Sequence, residues 1–307
     1  MSHLSANQMP WLAPIMAQLT ALAAQQRLAH ALLLSGVNGL GKAVLARDLT
    51  AFLLCKAPVH TQACGQCKSC LLLAAGNHPD WLQLTTENSS IGVDEIRRII
   101  DFTQGAAQQH GNRVITLPSA ERMTESAANA LLKTLEEPPQ GCYMLLQTCQ
   151  PQRLKATILS RCQRWDLAPV TEQTYYQWLA MHFQGVIPAF LYRYTGAAPL
   201  TALALLTNAG ATQIESLLTQ LSDFFQGKAE LTILVKNIEN SADSAGILGY
   251  FFNDMLRNTL SLSAERQQRI QYCYYRWCRD VQQILGQNKT LALTALLLET
   301  KALLLQR

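Results

Sequence analysis

Apolar residues in the first half of the chain fall into two alternating patterns. Pro14 to Gln26 places Ile15, Leu19, Leu22 and Ala23 on one stripe at helical spacing. Ala31-Leu-Leu-Leu-Ser35 is a short continuous apolar run stopped by Gly36, the pattern of a buried strand. Ala43 to Leu54 returns to helical spacing, with Val44, Leu45, Leu49 and Phe52 inward. Trp81 to Leu84, Asn112 to Leu117 and Tyr143 to Thr148 are predicted strands. Between them, a helix starts at Gly92 with Asp94 and Glu95 in its first turn, where carboxylates suit the helix dipole. A second runs from Ser126 to Glu137, with Ser126 expected as its N-cap and Pro138-Pro139 as its stop. Gln152 to Leu159 is a short helix. This alternation predicts an α/β domain, a parallel sheet with helices on both faces.

Beyond Pro169 only helical patterns remain. Glu172 to His182, Pro188 to Tyr194 and Leu200 to Thr207 are predicted helices, with a break at Gly196 to Pro199, and from about Ala211 the helices lengthen. Leu291 to Leu305 is apolar nearly all round, the mark of a helix buried against other elements or other chains. The expected division is an α/β domain over residues 1–167, a helical lid over 168–210 and an all-α domain over 211–307.

Composition sharpens this. The hydrophobic fraction is 49% and the charged fraction only 15%, against a usual roughly 25%, so much of the surface is expected to lie against partners. The net charge of +4 is mild, but Arg257 to Arg307 holds eight Lys/Arg and three Asp/Glu, making the C-terminal region basic. No run reaches the about 18 apolar residues of a membrane span. The first residues lack a basic segment followed by an apolar one, so the expected setting is the cytoplasm.

Two clusters bear chemistry. Gly36-Val-Asn-Gly39-Leu-Gly41-Lys42 fits G-x-x-x-x-G-K between a strand and a helix, the context of a phosphate-binding loop. The next residue should carry a hydroxyl for Mg²⁺ and is Ala43. The strand ending at Leu117 should be followed by an Asp-Glu pair, but Ser119 and Ala120 stand there, with Glu121 one position further as a solvated charge. Both losses argue against hydrolysis at this loop. Two readings of Lys42 stay open: it holds ATP or ADP without Mg²⁺, or it pairs with a nearby acid over an empty loop. The expectation is weak or no functional nucleotide binding. Cys55, Cys64, Cys67 and Cys70 follow C-x8-C-x2-C-x2-C, which places sulfurs about 3.5–4 Å apart around one tetrahedral Zn²⁺ and leaves no open position for water. That predicts a structural zinc within residues 55–70. Cys142, Cys149, Cys162, Cys273 and Cys278 are expected in cores.

The cysteine module inserted directly after the loop helix, Ala127 to Pro138 with its Asn-Ala-Leu-Leu-Lys-Thr-Leu-Glu-Glu run, Gly76 to Asp80, Gly92 to Asp94, Pro10-Trp11 and Ser160-Arg161-Cys162 together resemble the delta-prime family of bacterial DNA polymerase III clamp-loader subunits, within the AAA+ superfamily. The resemblance is dense over residues 10–170 and weak beyond. It implies an AAA+ P-loop domain, a helical lid and a collar domain that packs with other clamp-loader subunits. It implies a stator-like subunit that hydrolyses no ATP itself, presents Arg161, flanked by Ser160 and Cys162, as an arginine finger to a neighbouring ATPase, and helps load the sliding clamp on primed DNA. Implied partners are the gamma/tau and delta subunits and, through the complex, the beta clamp and DNA. It places a polar phosphate-sensing residue at Thr148, with a structural role here. An active gamma/tau-type ATPase is the alternative, disfavoured by Ala43 and Ser119. A small-molecule P-loop kinase has no place for the cysteine module or Ser160-Arg161-Cys162, and the cysteine knuckle carries Lys56 and Lys68 but no recognition helix with clustered arginines, as a zinc-dependent DNA reader would need.

Overall fold

The computed structural model describes residues 4–84, 90–109, 111–258, 262–284 and 286–305. Five strands form one parallel sheet: β1 (Ala31–Ser35), β2 (Trp81–Gln83), β3 (Arg113–Leu117), β4 (Cys142–Thr148) and β5 (Gln163–Asp166), in the order β2-β3-β4-β1-β5. Strand β1 is buried along its whole length, as its continuous Leu run demands. It pairs Ser35 with Thr148, while Leu117 of β3 pairs with Leu146. The carboxyl ends of β1, β3 and β4 therefore meet at one edge, where open α/β sheets hold ligands.

The helices that flank these strands are α1 (Ala13–Ala24), α2 (Lys42–Leu54), α3 (Lys68–Ala74), α4 (Val93–Gln104), α5 (Glu125–Glu136) and α6 (Ala156–Leu159). The core on one side of the sheet joins Leu33, Ile115, Met144 and Leu146 to Ile96, Ile99, Leu131 and Leu135. The helical patterns after Pro169 become α7 (Glu172–His182), α8 (Phe190–Tyr194), α9 (Pro199–Thr207), α10 (Gly210–Phe225), α11 (Leu231–Glu239), α12 (Ser244–Asn258), α13 (Ala264–Gln283) and α14 (Lys289–Leu305). The chain forms two compact units, one of residues 1–181 with 196–201, the other of 182–195 with 202–307. In the second unit Leu221, Leu248, Phe252, Ile270 and Leu297 build a separate core. No helix among the described residues is long and apolar enough to cross a membrane.

One expectation changes, and the structure adds detail at three other elements. Helix α5 is capped by Thr124, whose hydroxyl accepts the Ala127 N–H at 3.2 Å; Ser126 lies inside the first turn. Strand β5 and helix α3 are absent from the sequence pattern. β5 is a short polar edge strand with no alternation, and α3 is a short helix that starts directly after Cys67. Helix α14 is apolar nearly all round but buried on one side only: Leu293, Leu296, Leu297 and Leu303 are inside, while Leu291 and Leu305 are 68% and 70% exposed.

Candidate functional site

The phosphate-loop sequence folds as a phosphate loop. Gly36, Gly39 and Gly41 sit at φ +148, +83 and +94, conformations that side-chain-bearing residues avoid. Gly41 is the N-cap of α2, which begins at Lys42. The Trp11 indole N–H donates to the Leu40 carbonyl at 2.8 Å, so the Pro10-Trp11 motif braces the loop from outside. Trp11 in turn meets Trp178 edge to face at 5.3 Å.

Two sets of hydrogen bonds hold the loop in place. The Lys42 ammonium donates to the carbonyls of Gly36 at 2.6 Å and Val37 at 3.0 Å, the loop's own backbone. The N-terminus of α9 lies on the loop: the Leu200 N–H donates to the Gly39 carbonyl at 3.1 Å and the Thr201 hydroxyl to the Asn38 carbonyl at 3.1 Å. A Cβ on Gly39 would fall 2.0 Å from the Thr201 Oγ1.

Beside the loop lies a cleft of about 210 Å³ lined by Lys42, Ala43, Ser119, Glu121, Thr148 and Cys149 among others. Ala43 presents a methyl group there, and Ser119, at φ +53, turns the chain away after β3. Glu121 is not the solvated charge expected. It is half-buried, accepts the Cys149 thiol at 2.9 Å, and its Oε2 is buried with no hydrogen-bond partner among the described residues. Burial alone would raise its pKa, but the Cys149 and Thr148 side chains and nearby N–H groups hold the carboxyl below the ordinary carboxylate range. Burial pushes the Lys42 pKa down, opposed by the neighbouring Cys149 and Glu121. Cys149 is thus a half-buried cleft residue, not a core thiol, and burial followed by its carboxylate neighbour raises its pKa. Cys278 is also only half-buried. Cys142, Cys162 and Cys273 are buried as expected. The pairing of Glu121 with Cys149 escapes the sequence because it depends on the β3–β4 register, which no local pattern reveals.

Cys55, Cys64, Cys67 and Cys70 converge, with all four sulfurs within 4.8 Å of one another. The Cys55–Cys67, Cys64–Cys70 and Cys67–Cys70 separations are 4.0, 3.9 and 3.5 Å, against about 3.8 Å for a tetrahedron of Zn–S bonds near 2.3 Å. Backbone N–H groups of Cys64 and Cys67 point at the sulfurs of Cys55 and Cys64 at 3.2 and 3.4 Å, which stabilises thiolate. Burial would raise Cys67, but N–H groups of Lys56 and Cys70 and the neighbouring thiols bring it down to about 6. The four cysteines can hold a metal ion. The Gly76 to Asp80 motif fastens this module to the sheet: buried His78 bonds the Ser69 hydroxyl of α3, and the buried Asp80 carboxylate accepts the N–H groups of Gln108 and Gln109 at 2.7 and 2.8 Å.

Ser160-Arg161-Cys162 links α6 to β5. Cys162 anchors it in the core, and burial pushes its thiol up to about 11. The Arg161 guanidinium is partly exposed. It donates to the Thr157 carbonyl at 3.0 Å and pairs with Glu136 at 2.5 Å.

Residues 12–171 match the family model described as "DNA polymerase III, delta subunit". The chain is 46% identical over 180 residues to DNA polymerase III subunit delta′ of Yersinia pestis, covering 58% of this chain and 53% of that one. It is 36% identical over 264 residues to the Haemophilus influenzae subunit delta′, covering 84% and 80%. It is 39% identical over 200 residues to the Escherichia coli subunit delta′, covering 64% and 60%. The matched segments thus span from about half to four-fifths of these relatives. Among solved structures, a DNA polymerase III gamma subunit-related protein from Thermotoga maritima superposes with a TM-score of 0.56 at 19% identity, covering 94% of this chain and 98% of that one, a likeness of fold. With a match over half its length and a 36% identical relative covered across four-fifths, the chain belongs to the DNA polymerase III delta-prime subunit family.

Proposed function

We propose that this protein is the non-hydrolysing, stator-like subunit of a DNA polymerase III clamp loader. It assembles with gamma/tau and delta subunits and, through the complex, takes part in ATP-dependent loading of the beta sliding clamp on primed DNA. The observation that carries this reading is the state of Lys42. The one cation of the loop is hydrogen-bonded to two loop carbonyls, next to Ala43, which offers a metal no ligand, and Glu121, whose charge repels phosphate. This supports weak or no functional nucleotide binding at the loop.

Its contribution to hydrolysis is made in trans. Arg161 stands at the sheet edge on a segment anchored by Cys162, and a guanidinium keeps its charge at every relevant pH and complements phosphoryl oxygens as charge develops. Ser160 and Cys162 position it. The four cysteines hold one structural Zn²⁺, which would lock α2 to α3 and supply no catalytic chemistry, since all four positions are taken by sulfur. Residues 168–210 serve as lid and 211–307 as collar. The collar reading is supported by α14, which leaves Leu291, Ala295, Leu298, Ala302 and Leu305 exposed at alternating spacings of four and three, a seam that another helix fits.

Reconstitution tests the reading. A clamp loader that lacks its delta-prime subunit should regain clamp loading on primed DNA when this chain is added. Failure to co-assemble with gamma/tau and delta would refute it.

A further inference from the structure

Helices α13 and α14 present two exposed faces of different chemistry. The α14 seam is aliphatic. On α13 the exposed face follows Gln268, Tyr272, Tyr275 and Arg279 at spacings of four, three and four, with Arg269 beside it. Tyr272 and Tyr275 are 61% and 66% exposed, and no aliphatic side chain lies between them on that face. Gln268, Arg269, Gln271 and the two tyrosines line one shallow hollow of about 430 Å³. The tyrosines are about 4.5 Å apart along the helix axis. Tyr275 is braced by the ring of Tyr274 at 5.7 Å, and Tyr274 is itself held by a hydrogen bond from its hydroxyl to the Ala245 carbonyl at 2.9 Å.

We infer that this face of α13 is a binding platform for single-stranded nucleic acid, with Tyr272 and Tyr275 stacking on bases and Arg269 and Arg279 contacting phosphates. Charge complementarity selects the occupant. The helix carries Arg266, Arg269, Arg276 and Arg279 against Glu265 and Asp280, in the basic C-terminal region. Arg276 is engaged by Glu299 and Arg279 shares Asp280, whereas Arg269 has no ion pair among the described residues. Exposed aromatic rings flanked by arginines and amides suit unpaired bases, whose faces are accessible only when they are out of a duplex. The inference rests on the C-terminal helices alone and is independent of the state of the phosphate loop.

The test is fluorescence anisotropy of a labelled oligothymidylate titrated with the full chain, beside a blunt duplex of the same length. The wild-type chain should prefer the single strand. Tyr272→Ala and Tyr275→Ala should each weaken binding by roughly tenfold, while Tyr272→Phe retains it. Arg269→Ala should reduce the salt slope by about 0.7. Thermal melts matching the wild type show that these surface variants fold. Three results would overturn the inference: no binding by the wild-type chain, equal binding by the Tyr→Ala variants, or variants that lose assembly with other subunits while binding the oligonucleotide unchanged.

Discussion

The Arg161 guanidinium is held by the Glu136 carboxylate, Nη2 to Oε1 2.5 Å, across from the end of α5 to the turn before β5. Both side chains are partly exposed, at 33% and 49%, so the pair contributes at most about 1 kcal/mol to folding. The Arg161 Nε is buried without a partner among the described residues. With Arg161 as the proposed finger, a phosphate in a neighbouring site would have to compete with Glu136 for the guanidinium. Glu136→Gln should therefore leave thermal stability within about 1 kcal/mol of wild type while raising, or leaving intact, the ATPase rate of the assembled complex. A fall in that rate to the level of Arg161→Ala would mean that the pair positions the finger rather than parking it.

The cysteine module gives a prediction on metal. Purified chain should contain about one zinc per molecule. Stripping it with a chelator, or replacing Cys67 with Ser, should lower the unfolding midpoint and expose the α2–α3 connection to protease first. That connection has no regular structure of its own beyond a Val59–Gln62 backbone bridge, so the convergent sulfurs are its main anchor. Elemental analysis together with limited proteolysis reads this directly.

The contact between the loop and α9 is testable by a double-mutant cycle. Gly39→Ala places a methyl group 2.0 Å from the Thr201 Oγ1 at φ +83, so it should cost well over 1 kcal/mol. Thr201→Ala, which loses one hydrogen bond to the Asn38 carbonyl, should cost about 1 kcal/mol by itself. The double mutant should be more stable than the sum of the two, because removal of Thr201 Oγ1 relieves the closest contact, while the Thr201 backbone nitrogen at 2.7 Å, its Cβ at 2.8 Å and the backbone strain at Gly39 remain. Urea midpoints measure each corner.

Glu121 predicts a pH dependence. Its folded pKa lies below its unfolded value, so the stability it contributes is present above the ordinary carboxylate pKa of about 4.3 and is lost as pH falls through the folded pKa. Wild type should exceed Glu121→Gln in stability at neutral pH, with the difference shrinking below about pH 4. Urea unfolding across that range checks the sign, and a difference that grows on acidification would contradict it.

Much of the fold is legible in the amino-acid sequence. The Leu run of β1, the glycines of the loop and the cysteine spacing each encode their outcome locally: a buried strand, positive φ angles and converging sulfurs. The family motifs around Ala127 to Pro138 and Ser160 to Cys162 add what local pattern cannot, the suggestion that Arg161 works for a neighbour. What stays hidden depends on tertiary register. Glu121 reads as surface charge because its burial comes from Cys149, 28 residues away beyond the next strand. Ser126 reads as a cap because Thr124 is an equally good one two positions earlier, and only the backbone at Thr124, extended at φ −64 and ψ 162, decides between them. Strand β5 has too few apolar positions to announce itself, yet it is fixed by pairing with β1.

The central claim, that this chain serves a neighbour's nucleotide and not its own, is tested most directly by ATP hydrolysis. The purified chain alone should show none. Mixed with its ATPase partners, clamp and primed DNA, it should stimulate turnover. An Arg161→Ala chain that still assembles should lower that stimulated rate by roughly 10³-fold or more at the site it faces. Hydrolysis by the chain alone, or an undiminished rate with the assembled Arg161→Ala variant, would contradict it.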